Sequence, residues 1–109
     1  MKKHIDIFIE GSVSKIDFNF YSQIAASKFG IDAVYKNGDT RHVDIEVEGE
    51  QENVQSFVDY LNDGALKQHI ELFKTEDGEF RNIKGFTSLK VHKEKFKFLK
   101  QLFKTNIHY

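Results

Sequence analysis

Between Ile5 and Leu89 the apolar residues of this chain switch from a period of two to a period of 3.6 and back, twice, and that switching leaves few folds open. The stretch His4-Ile5-Asp6-Ile7-Phe8-Ile9-Glu10 alternates, with Ile5, Ile7 and Ile9 on one face, and predicts a half-buried strand. From Phe18 to Phe29 the spacing is helical, with Phe18, Tyr21, Ala25 and Phe29 on one stripe; Asp17 can cap the first turn and Gly30 can take the left-handed position after the last. Ala33-Val34-Tyr35-Lys36 and the alternating run from His42 to Glu48 predict two strands. They form a hairpin through Asn37-Gly38-Asp39-Thr40, with Val43, Ile45 and Val47 inward. Val54, Phe57, Val58 and Leu61 mark a second amphipathic helix, stopped at Asn62-Asp63-Gly64. Residues 69–74 predict another strand, Glu76-Asp77-Gly78-Glu79 a turn, and residues 84–90 a last short strand.

This order is that of an α+β fold, a ferredoxin-like split βαβ sandwich in which two helices cover one face of an antiparallel sheet and bury both helical stripes at once. Residues 1–90 suffice for it. Residues 91–109 form an extension that reads as a third, amphipathic helix from Lys93 to Tyr109, with Phe96, Leu99, Phe103 and Ile107 on its stripe and most lysines off it. Residues 90–109 hold six lysines against Glu94 alone, a surplus of five positive charges; the net charge of −1 then leaves −6 on the first 89 residues. The eleven phenylalanines, with no Trp, are expected to supply much of the core.

The absence of cysteine excludes disulfides, thiolate metal sites and cysteine nucleophiles. The five histidines lack the short paired spacing of a helix-borne metal site, so no metal and no cofactor are expected. No run approaches the roughly 18 apolar residues of a membrane span, and the first residues carry no apolar run of signal-peptide length. The expected location is the cytoplasm.

Four separated blocks resemble the acylphosphatase family in order and spacing. Ile7-Phe8-Ile9-Glu10-Gly11-Ser12-Val13-Ser14-Lys15-Ile16-Asp17-Phe18-Asn19 is similar to the family's G-x-V-Q-G-V-G-F-R, and Gly30-Ile31-Asp32-Ala33-Val34-Tyr35-Lys36-Asn37 to its G-L-x-G-x-V-x-N. The run from Val43 to Gly49 resembles the strand that follows, and Phe57 to Gly64 the second helix with its terminal glycine. The match runs from about Ile5 to Leu89 and leaves out the basic extension. The resemblance implies metal-free hydrolysis of carboxyl-phosphate bonds. A backbone loop at a helix N-terminus would cradle the phosphate, an Arg would fork onto it, and an Asn would orient water.

Asn37 stands at the position of that Asn, but Asn19 stands where the Arg belongs, and Lys15 and Asp17 occupy the loop's two glycine positions. Asn is neutral and cannot bind two phosphate oxygens. Asp17 sets a like charge beside an anion, whereas Lys15 offers a cation for anion binding. The resemblance therefore implies a binding, assembly or regulatory domain without catalysis; the alternative is a weak acylphosphatase in which Lys15 partly replaces the Arg.

Plainer readings compete at each position. Asn37 is a catalytic remnant or simply the first residue of a favoured Asn-Gly turn. Asp44, Glu46 and Glu48 form a cation or acid/base site, or the solvated outer face of a strand, which their strict alternation favours; His42 on the same face is expected to be exposed. The basic extension docks on protein, either this domain or a partner, a second copy included; an anionic membrane surface is the less favoured reading, and the acidic body argues against nucleic acid.

Overall fold

The computed structural model describes residues 1–13, 17–37, 39–64 and 66–90. The expected third helix and Lys15 lie outside them. Five strands form one sheet: β1 (Lys2–Gly11), β2 (Asp32–Asn37), β3 (His42–Glu50), β4 (Ile70–Asp77) and β5 (Phe86–Lys90), in the spatial order β4-β1-β3-β2-β5. Helices α1 (Phe18–Phe29) and α2 (Gln51–Asp63) follow β1 and β3, and a short 3-10 turn, Lys67–His69, leads into β4.

The alternation of β1 and β3 sets the layers. Ile5 lies opposite Val47, Ile7 opposite Ile45 and Ile9 opposite Val43, and all six are buried. This apolar face receives Phe18, Ala25 and Ala26 of α1 and Val54, Phe57 and Leu61 of α2. Both helical stripes are as expected, except that Ser22 and Ala26 share the buried face of α1 while Tyr21 and Phe29 lie at its margin. The phenylalanines carry less of the core than their number suggests. Among the described residues Phe18 and Phe57 are fully buried, whereas Phe20 and Phe80 are exposed, because the β-branched strand residues already fill the sheet side of the core.

The boundaries of α1 follow its caps. Asp17 accepts a hydrogen bond from the Phe20 N–H at 2.9 Å, and Gly30 ends the helix at φ 64°, a conformation that costs a residue with a Cβ. Gly11 closes β1 for a different reason. A Cβ there would collide with the His69 carbonyl oxygen, where the β1–β4 register shifts.

Two features depart from the expected sandwich. Glu76 and Asp77 belong to β4 rather than to a turn, and the sheet is antiparallel except at one edge, where β5 runs parallel to β2. The two are linked. β4 ends at the end of the sheet where β2 begins, so residues 78–85 cross there and re-enter beside β2 in the same direction. The crossing is tied down by the Gly78 N–H on the His4 carbonyl (3.0 Å) and the Ala33 N–H on the Gly85 carbonyl (2.9 Å). It lies on the sheet face opposite the helices. No helix among the described residues is long and apolar enough to cross a membrane.

Candidate functional site

One corner of the fold brings together Asn19 and Asn37, two of the residues singled out by sequence; Lys15 lies outside the described residues. The chain leaves β1 at Gly11, whose N–H bonds the Arg41 carbonyl at 3.0 Å, and the Ser12 N–H bonds the His69 carbonyl at 2.9 Å. These bonds hold the neck of the loop against the β2–β3 connection and the lead-in to β4. Asn19 lies in the first turn of α1, and its Oδ1 accepts a hydrogen bond from the Ser88 hydroxyl of β5 at 2.9 Å. Ser88 stands opposite Tyr35 in the parallel ladder, and Asn37, the last residue of β2, is two residues further on. The fold thus brings the start of α1, the end of β2 and β5 together.

Among the described residues the chemistry of this corner is mostly neutral. Asn37 Oδ1 is buried and has no hydrogen-bond partner among the described residues. Tyr35 is buried, which pushes its hydroxyl well above its ordinary value, and the Asp17 charge adds to the rise. Asp17 therefore presents negative charge to the site while capping α1. Arg41, on the neighbouring connection, is held by Glu71 at 2.6 Å. The described part of the corner combines the Asn37 oxygen, the N-terminus of α1 and the Asn19 amide.

The other face of the sheet holds a second cluster that sequence reading missed. Glu46 and Glu48, expected on a solvated face, are buried because residues 78–85 cross over them; Asp44, beyond the crossing, is exposed as expected. His4 is buried as well, with Nδ1 2.7 Å from Glu48 and Nε2 2.9 Å from Asp6. Glu48 also accepts the backbone N–H groups of Arg81 and Ile83. Glu46 binds Lys36 Nζ through one oxygen and Arg81 Nη1 through the other, each at 2.6 Å. His4, Asp6 and Glu46 place three donor atoms within 4.8 Å of one another, a set that could ligate a metal ion. Lys36 and Arg81 already neutralise both oxygens of Glu46, however, so an incoming cation would have to displace one of them. The cluster is built as an internal ion network that holds down the crossing segment. Its only sequence signal was His4 among alternating carboxylates; the covering came from residues more than thirty positions away.

The network makes stability depend on pH. Burial pulls the His4 imidazole down, but its hydrogen bonds to Glu48 and Asp6, and their charges, outweigh this and hold it above its ordinary 6.5. For Glu48 and Glu46 burial pushes upward and is outweighed in turn. The N–H groups of Arg81 and Ile83 with His4, and the cations Lys36 and Arg81, hold them below their ordinary 4.5. The His4 contribution is complete below pH 6.5 and is lost as pH rises through its raised folded value; those of the carboxylates are present above 4.5 and are lost as pH falls through their lowered values. Stability is therefore expected to decline as pH rises above 6.5, and His4→Gln should flatten that decline. Urea unfolding of both proteins across the pH range checks this, and parallel curves above pH 6.5 would show that His4 does not cause it.

Comparison with known proteins places these features in a family. The acylphosphatase family model matches residues 5–88. The chain is 27% identical over 86 residues to an acylphosphatase of Nocardioides sp., covering 79% of this chain and 87% of that protein. Among solved structures, an acylphosphatase from Bacillus subtilis superposes with a TM-score of 0.72 at 23% identity, covering 82% of this chain and 99% of that one. Full-length HypF superposes with a TM-score of 0.74 at 22% identity over 83% of this chain, which spans only 12% of HypF. By the family match over most of its length, and by its fold, the chain belongs to the acylphosphatase family.

Proposed function

We propose that this protein is a non-catalytic member of its family, a binding or regulatory domain that retains the fold and has lost acyl-phosphate turnover. The observation that carries this reading is the Asn19–Ser88 hydrogen bond. The residue at the family's Arg position is a short neutral amide, and its carbonyl is occupied by β5. A guanidinium there would supply two charge-assisted bonds to the developing charge of a transferring phosphoryl group. Stabilisers of that kind are worth roughly 10²–10³ in rate when a hydrogen-bond donor is lost and about 10³–10⁵ for an arginine. Asp17 deepens the loss, since its carboxylate caps α1 in the loop where an anion would sit.

Steady-state hydrolysis of a model acyl phosphate tests the proposal. The expected turnover falls far below the roughly 1–10³ s⁻¹ of ordinary enzymes, and Asn37→Ala should leave it unchanged. Turnover in the ordinary range that Asn37→Ala abolished would overturn the proposal. It would favour the weak acylphosphatase in which Lys15 supplies the cation, and Lys15→Ala should then abolish turnover too.

A further inference from the structure

We propose that residues 91–109 fold back as a helix across the open half of the sheet face opposite α1 and α2, in the same molecule, and form a third layer there. Two helices cover the first face, and residues 78–85 cover only the end of the second that holds His4 and Glu48. Among the described residues the other end of that face is open. Leu72 of β4 and Leu89 of β5 are 47% exposed at its two edges, with the half-buried Phe8 between them on β1. Register places all three on this face: Phe8 lies opposite Asp44, Leu72 opposite Glu10, and Leu89 opposite Lys36. A cavity of about 460 Å³ opens on the same side, lined by Phe8 with Asp6, Asp44 and Glu79 and with the cations Lys36 and Arg81.

Three observations select the chain's own extension as the occupant. The first is position. β5 ends at Lys90 opposite Asn37, at the open end of the sheet, and 19 residues follow. The second is reach. Five strands at about 4.8 Å spacing span roughly 19 Å, and a helix rising about 1.5 Å per residue covers that in about 13 residues. The third is chemistry. The extension pairs an apolar stripe, Phe96, Leu99 and Phe103, with five lysines against Glu94, a surplus of four positive charges, and the open face pairs apolar side chains with Asp6, Asp44 and Glu79, beside Lys36 and Arg81, on a body (residues 1–90) of charge −5. A helix of this length is marginal alone in water and needs a surface on which to bury its stripe.

The test uses the full-length chain in dilute solution, followed by NMR and amide hydrogen exchange. The expected result is nuclear Overhauser contact between the Phe96 or Phe103 ring and the methyls of Leu72 or Leu89, with the amides of residues 95–105 protected on the order of 10²-fold over free peptide. Leu72→Glu/Leu89→Glu changes two exposed side chains and should abolish that protection while the amides of β1 and β3 stay protected. Exchange at free-peptide rates in the parent protein would overturn the proposal. So would protection that rises with protein concentration together with a dimer mass, which would place the helix on a second copy, or protection that appears only with vesicles of anionic lipid.

Discussion

Replacing Glu48 with alanine is expected to remove about 3–5 kcal/mol of folding stability, the usual cost of deleting one partner of a buried ion pair. A domain of this size has roughly 5–15 kcal/mol in total. The carboxylate is 2% exposed and serves three donors on two elements: the His4 imidazole of β1 and the N–H groups of Arg81 and Ile83 in the crossing segment. Its removal leaves a buried His4 facing fewer acceptors and two backbone donors without theirs, each an unsatisfied group with its own desolvation cost. Replacing both members of the pair, as in His4→Phe/Glu48→Leu, should therefore recover only part of the loss, because the two backbone donors remain. Arg41→Ala serves as the contrast. Its pair with Glu71 is exposed on both sides, so it should cost under about 1 kcal/mol. Urea unfolding of the four proteins checks the set, and a Glu48→Ala loss as small as that of Arg41→Ala would show that the crossing segment is not held by this carboxylate.

The second large effect concerns what a single residue cannot restore. Asn19→Arg is expected to leave acyl-phosphate hydrolysis at least ~10² below an active enzyme, a deficit of the size caused by one missing transition-state donor. A guanidinium would be supplied, but on the proposed match to the family's motif Lys15 and Asp17 would still carry side chains at its glycine positions, and glycine is what lets backbone N–H groups approach an anion closely. Asp17 would also offer the new guanidinium a carboxylate close by, in competition with phosphate. Adding Lys15→Gly and Asp17→Gly should raise the rate well beyond the single change. Exchanging an Asp cap for Gly should cost only roughly a few tenths of a kcal/mol, so the triple variant ought to fold. Full activity from Asn19→Arg alone would mean that the loop backbone already forms the cradle and that the missing charge was the whole defect.

Local pattern was enough for most of the architecture. The isoleucines of β1, the alternation of β3, the stripes of α1 and α2, the Asp17 cap and the Gly30 stop are properties of neighbouring residues, and periodicity records which face each side chain occupies. The resemblance that sets Asn19, Lys15 and Asp17 against the family's motif was a matter of local sequence too, since a motif is local. Periodicity cannot say what lies over a face once it is defined. Glu46 and Glu48 alternate as a solvated row would, yet residues 78–85, more than thirty positions later, cross over them and turn that row, with His4, into a buried ion network. The bond from Ser88 to Asn19 spans 69 positions for the same reason. Which strands are neighbours, and which face a connection crosses, are decided by how the chain closes its sheet, and that closure alone made a buried charge cluster out of residues that look exposed one by one.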